Sequence, residues 1–284
     1  MSIAAIALLL TSAVLHALWN LILKQSETKF VAMGWQNILS GILAILILFF
    51  TGLPPQSMWL LAVLSALLEA IYFGLLTFAY NDHDFSLVYP VARGAAPALV
   101  VVWSALFLAE IPSTAGFIGL ALIIAGLVIV GSTSLFQNGS VHPQFRGIII
   151  ALTVAFVISV YTIVDGFAVK RGPALPYGLA LFALMPIAST PLVISHYGWR
   201  RFADGFRASW GRLLLVGVLG LVAYLFVLIA YSIAPVNYSE AIREVSVVLA
   251  AFFGWQFLGE ELGKIRIWGA IAIFIGIALI AILG

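Results

Sequence analysis

The chain has 284 residues, 64% of them hydrophobic and 8% charged, with a formal net charge of +2 and no cysteine. A soluble domain carries about a quarter of its residues as charged side chains, so composition excludes water as the main solvent of this chain. The small net charge gives no basis for a nucleic-acid partner, and without cysteine there are no disulfides and no thiolate metal sites.

The remaining solvent is lipid. There every backbone polar group must be paired internally, which leaves helices or closed barrels. Barrel strands alternate apolar and polar residues over about ten positions. The apolar runs here are continuous and roughly twenty residues long, the length of a spanning helix. The apolar N-terminus lacks a basic leader segment and is long enough to span, so it reads as a retained first helix.

Ten spans are predicted, over about 2–23, 30–51, 58–80, 86–108, 114–133, 147–169, 176–196, 210–232, 239–258 and 266–283. Short breaks with turn chemistry separate them, such as Gly52-Leu53-Pro54-Pro55 and Asn81-Asp82-His83-Asp84. The longest polar connector runs from Ser132 to Arg146 and divides the chain into halves of residues 1–136 and 147–284.

The halves are related by duplication. A shift of 150 places Arg93 on Arg243, Glu110 on Glu260, Gly119 on Gly269 and Gly126 on Gly276. Trp19 falls on Tyr161 at a shift of 142. Five spans per half is an odd number, so the second half enters the membrane from the opposite side. The predicted fold class is therefore an all-α integral membrane protein, with two inverted five-helix repeats around a central cavity, as in many secondary transporters. A duplicated bundle without a transport role is the alternative. Buried charges argue against it, because they are poor structural choices in lipid.

Polar residues within the spans mark the candidate site. In the first span His16, Trp19 and Asn20 share one helical face. They either line a cavity or hold the bundle together by interhelical hydrogen bonds. In the third, Glu69, Tyr72 and Tyr80 form a stripe. Glu69 lies near mid-span and requires a proton, an arginine or water. It is either a proton-coupling carboxylate or a partner for Arg93 or Arg243. The fourth span holds Arg93 and Trp103 between and beyond Pro90 and Pro97, which free backbone carbonyls and permit a kink. An arginine at a helix centre costs about 3 kcal/mol on insertion scales, and its fork suits a carboxylate.

The sixth span places Tyr161 one turn before Asp165. Asp165 sits near the span end, where a contact with Lys170 in the headgroup region accounts for it. Tyr224 and Tyr231 share a face of the eighth span. The ninth carries Glu240, Arg243 and Glu244, read either as an internal salt bridge or as a site for a zwitterion, with the arginine for a carboxylate and a glutamate for an amine. Glu110 and Glu260 sit at span ends and read as structural. Gly116, Gly119, Gly126, Gly269 and Gly276 read as close-packing positions. With four scattered histidines and no soluble-enzyme motif, neither a metal, a cofactor nor an enzymatic activity is expected.

Ten spans in two halves, each with a segment such as FLAEIPSTAGFIGLALIIAGLVIV or FLGEELGKIRIWGAIAIFIGIALI, resemble the EamA domain of the drug/metabolite transporter superfamily. The opening HALWNLILK, with Trp19, Asn20 and Lys24, looks like that family's first helix. The resemblance covers nearly the whole chain and is greatest to the YddG-type amino-acid exporters. It implies a central cavity between the first, third, fourth, sixth, eighth and ninth spans. It also implies export of a small metabolite, an amino acid first of all and an aromatic or neutral one, by a monomer in the bacterial inner membrane. A nucleotide-sugar or phosphorylated-metabolite antiporter, or a multidrug exporter of the same superfamily, is the alternative. Small multidrug members use a first-helix glutamate for proton coupling. This chain has His16 in that helix, which argues against their mechanism.

Orientation divides the two lines of reasoning. Lys24, Lys29, Arg146, Arg200, Arg201, Arg207, Arg212, Lys264 and Arg266 fall on one side, and only Lys170 and Arg171 on the other. The positive-inside rule places the first set in the cytoplasm and both termini outside. Family members are drawn with both termini in the cytoplasm.

Overall fold

The computed structural model describes residues 1–24, 26, 28–82, 85–137, 145–258 and 264–283. Side chains within these are described except at 24, 76–82, 85–91, 93, 130–137, 145–148, 250, 251, 254, 257, 258 and 264–266. The described residues form eleven helices: α1 (Ile3–Lys24), α2 (Lys29–Thr51), α3 (Gln56–Asp82), α4 (Phe85–Phe107), α5 (Thr114–Gln137), α6 (Phe145–Val169), α7 (Ala174–Tyr197), α8 (Trp199–Ile233), α9 (Val236–Arg243), α10 (Val245–Leu258) and α11 (Lys264–Leu283).

Six described segments are long and apolar enough to cross a membrane: Ile3–Leu23, Lys29–Thr51, Gln56–Leu75, Ile149–Val169, Ala174–Tyr197 and Trp199–Ile233. Gly94–Phe107, Thr114–Ile129 and Ile267–Leu283 are shorter apolar helices. The outside of the bundle is apolar, with Phe49, Phe50, Leu60 and Ile282 fully presented to the surroundings. The inside holds Asn37, Ser40, Asp165, Asn237, Glu240, Arg243 and Glu244. A fold with apolar residues outward and charges inward is built for lipid, where inward charges find partners and outward apolar groups cost nothing.

Two spans differ from the sequence reading. The predicted ninth span is two helices, α9 and α10, with a step at Glu244. There the bonding changes to Glu244 N–H donating to the Ala241 carbonyl at 3.2 Å and Val247 N–H to the Glu244 carbonyl at 3.0 Å, a tighter turn that interrupts the α-helical ladder. The fourth span is one helix as expected, running through both of its prolines. Proline removes one ladder bond, and here that loss does not end the helix. The predicted start of the eighth span at 210 also moves. Helix begins at Trp199 and bends at Ser209 (φ −149°, ψ 24°). The leading segment is amphipathic and held by Phe202, which stacks on Trp35 at 4.6 Å between ring centroids. Trp35 Nε1 donates to the Phe202 carbonyl at 2.8 Å.

The packing partners interchange in pairs. Helix α1 packs on α8, and α6 on α3; α2 packs on α8, and α7 on α3; α1 packs on α9 and α10, and α6 on α4. Helices α2 and α7 pack on each other, as do α5 and α11. Polar bonds tie several of these seams. The Ser12 hydroxyl donates to the Ala223 carbonyl at 2.7 Å, the Ser40 hydroxyl to the Gly217 carbonyl at 2.9 Å, and Asn37 Nδ2 to Ser189 Oγ at 3.1 Å. The α5–α11 seam uses the repeated glycines. A Cβ on Gly119 would stand 2.7 Å from the Gly276 carbonyl oxygen, and one on Gly126 would stand 2.5 Å from that of Gly269. As position rises along α5 it falls along α11, so the two helices run antiparallel and meet backbone to backbone.

Candidate functional site

Two carboxylate centres lie inside the bundle. The first is Asp165 on α6, with no exposed surface. Tyr177 of α7 donates its hydroxyl to Asp165 Oδ1 at 2.6 Å, and Tyr224 of α8 donates to Oδ2. Both carboxylate oxygens are thereby satisfied by phenols, an arrangement that holds a buried acid by hydrogen bonds. This corrects the reading of Asp165 as a headgroup contact of Lys170. Lys170 pairs with Glu110 instead, at 2.9 Å.

The second centre is Glu240 on α9, also without exposed surface. Tyr231 of α8 donates to its Oε2, and Arg243 Nη2 meets Oε1 at 3.1 Å. The i, i+3 spacing on one helix brings these two together. Arg243 and Glu244 are 7% and 1% exposed, so the whole triad is inside. The step at Glu244 falls directly after the arginine. Interrupted helices with free backbone groups beside a charged residue are a recurrent way to build a binding site in lipid.

Glu69 of α3 is near enough to Asp165, Tyr224 and Arg243 to feel their electrostatics. Its buried Oε1 makes no hydrogen bond among the described residues, and neither do the buried hydroxyls of Thr162 and Ser239. The ring of Tyr161 of α6 is 6.2 Å from that of Tyr72, within electrostatic reach of Arg243 and Glu69. Phe182 packs edge-on against Tyr224 at 5.7 Å. The expected Glu69, Tyr72, Tyr161, Tyr224, Glu240, Arg243 and Glu244 are therefore one constellation.

Other expected residues stand apart from it or serve packing. Trp19 packs beside Leu23, Ala32, Leu213 and Val216, where α1 meets α2 and α8. Its ring is edge-on to His16 at 4.8 Å. Asn20 Nδ2 donates to the His16 carbonyl of its own helix at 2.8 Å. Trp103 Nε1 donates to Ser159 Oγ at 3.0 Å, joining α4 to α6. The side chains of Tyr80 and Arg93 lie outside the described residues. Sequence reasoning missed Tyr177, and it noted Tyr231 only as a companion of Tyr224. The available signal was a pair of phenols on helices flanking an in-span acid.

Tyr224→Phe removes one of the two donors to Asp165 and the group next to Glu69. A hydrogen bond to a charged group contributes roughly 1.5–3 kcal/mol, so this variant is expected to lose about that much stability while the Phe182 contact persists. Thermal unfolding of the variant beside the parent checks this.

Comparison with known proteins decides the family. The sequence matches the EamA-like transporter family over residues 3–132 and again over residues 145–282. The chain belongs to this family. It is a multi-pass membrane protein of the drug/metabolite transporter superfamily. Among curated proteins, this EamA-like chain is similar to the pseudopaline exporter CntI of two Pseudomonas aeruginosa strains, PAO1 and UCBPP-PA14. Each is 26% identical over 183 residues, which are 63% of this chain and 60% of the relative. The match thus spans about three fifths of those exporters. Among solved structures, a crystal structure of a protein superposes with a TM-score of 0.80 at 18% identity, covering 100% of this chain and 98% of the other. That likeness is one of fold.

Proposed function

We propose that this EamA-like protein is a secondary transporter that exports small zwitterionic metabolites, amino acids first among them, by alternating access. The observation that carries the reading is the Arg243–Glu240 pair, buried at an interrupted helix and bordered by polar groups with unspent hydrogen-bonding capacity. A zwitterion complements such a site. Its carboxylate takes the guanidinium fork, and its ammonium takes Glu240, Glu244 or Glu69. The rings of Tyr72, Tyr161, Phe182 and Tyr224 offer an apolar side chain a wall and a cation a π-face. That the similar curated proteins are exporters of pseudopaline supports export of a small metabolite.

Two inverted five-helix halves, residues 1–136 and 147–284, are part of the same proposal. The interchange of packing partners and the antiparallel α5–α11 seam support it. Rocking of the halves would expose the constellation to each side in turn. A monomer in the bacterial inner membrane completes the reading.

The test is flux in proteoliposomes. Concentration-driven counterflow of a labelled amino acid is expected. Its absence across all twenty amino acids, with the protein folded by thermal unfolding, would remove amino acids as the substrate class.

A further inference from the structure

Glu110 is repeated in the sequence, yet it lies outside the candidate site. Its surroundings show what it holds. It sits in the turn between α4 and α5, and its Oε1 pairs with Lys170 Nζ at 2.9 Å. Its Oε2 accepts the Val236 N–H at 2.7 Å, at the first residue of α9. The Glu110 carbonyl accepts Asn237 Nδ2 at 3.1 Å. Lys170 Nζ also donates to the Ala234 carbonyl at 3.1 Å. One glutamate and one lysine thereby join three turns at one end of the bundle: α4–α5, α6–α7 and α8–α9.

Beneath this knot the helices touch directly. A Cβ on Gly166 would stand 2.6 Å from Val236 Cγ2 and 3.5 Å from Leu108 Cδ1, so α6, the start of α9 and the end of α4 are in contact. The side chains of Glu110 and Lys170 are 11% and 27% exposed. Separating the three turns must break an ion pair and three hydrogen bonds together. Several polar bonds concentrated on two side chains make a closure that is cooperative and reversible, because water replaces each bond once the turns part. An apolar seam of similar strength would need a far wider contact.

We propose that Glu110 and Lys170 form a latch that keeps this end of the transporter closed and is broken once in each transport cycle. The latch rests on the alternating-access reading given above. It also positions α9, the helix that carries Glu240 and Arg243, since Glu110 caps its first turn. Opening this end therefore loosens the helix bearing the binding pair, which couples release of substrate to unlatching. Glu260, the sequence duplicate of Glu110, lies outside the described residues.

The chain has no cysteine, so paired spin labels can be placed without background. Ile111→Cys and Leu175→Cys, both at exposed positions, report the separation of the α4–α5 and α6–α7 turns. In lipid nanodiscs, Lys170→Met and Glu110→Gln are expected to shift the label pair toward the longer separation, changing the closed-to-open ratio about tenfold, the factor that loss of one charge-assisted bond produces. Glu110→Gln keeps an acceptor for the Val236 N–H, so this variant retains the cap if Lys170→Met proves unstable. Distance distributions unchanged from the parent in both variants would overturn the latch. Amino-acid flux by the unmodified chain, measured in parallel, tells the two ideas apart. A distance shift without parent flux leaves the latch and removes the substrate reading, whereas parent flux without a shift does the reverse.

Discussion

Arg243→Ala is expected to abolish substrate flux and to destabilise the protein by about 3–5 kcal/mol. That figure is the cost of leaving a buried charge without its partner, here Glu240 at 0% exposure. The two effects are separable. Adding Glu240→Gln to Arg243→Gln removes the orphaned charge and keeps both side chains polar, so thermal stability in detergent should largely return. Flux should not return, because the guanidinium fork that receives a carboxylate is still missing. Recovery of flux in the double variant would show that the pair is only a structural staple. Tyr231→Phe offers a milder comparison, since it withdraws one donor from Glu240 and leaves the arginine in place.

Gly126→Leu is expected to prevent the bundle from assembling. The site has no room even for a methyl group, because a Cβ would stand 2.5 Å from the Gly269 carbonyl oxygen and 2.6 Å from Ile273 Cγ1. The first of these is backbone and cannot rotate away. Overpacking a tight site costs about 1–3 kcal/mol when side chains can adjust; a clash with backbone across an entire helix seam exceeds that. Size-exclusion profiles of the extracted protein would show loss of the folded species. Gly211→Leu is the control, since nothing lies within 4 Å of its Cβ position, and it should behave as the parent.

Much of the scaffold was legible. Six membrane-spanning segments followed from runs of apolar residues, because lipid leaves helices as the open-ended solution. The glycines of the α5–α11 seam followed from a small residue recurring at the same place in both copies. Glu240, Arg243 and Glu244 were legible as a group because their spacing puts them within one turn. Helical spacing also grouped Tyr161 with Asp165 and Tyr224 with Tyr231, since neighbours on one helix face are set by local geometry.

Partners on other helices were not legible. Asp165 lies four residues before the end of α6, and by position alone the headgroup lysine Lys170 looked like its mate. In the fold the Asp165 side chain turns to Tyr177 and Tyr224, while Lys170 reaches the α4–α5 turn. Trp19 and Asn20 shared a face with His16, yet Asn20 spends its amide on its own helix and Trp19 packs into an apolar cluster. The interruption of the ninth span carries no proline or glycine at Glu244, whereas the fourth span has two prolines and stays continuous. Propensity at a single residue is worth about 1 kcal/mol in most cases, and packing of the neighbouring helices outweighs it.

Residue types and their spacing were enough to show that the chain lives in lipid, that it is helical, that residues recur at a shift of 150, and that charges are placed where lipid forbids them without partners. These are properties of composition and period, and they need no knowledge of which helix touches which. Packing between helices sets which acid meets which phenol, the helix break beside Arg243, and the meeting of three turns at Glu110. Those outcomes depend on side chains far apart in the chain meeting in space, as Glu110 meets Val236 across 126 positions. A local pattern holds no information about such meetings, because the same residues at the same spacing can face any neighbour that the packing supplies.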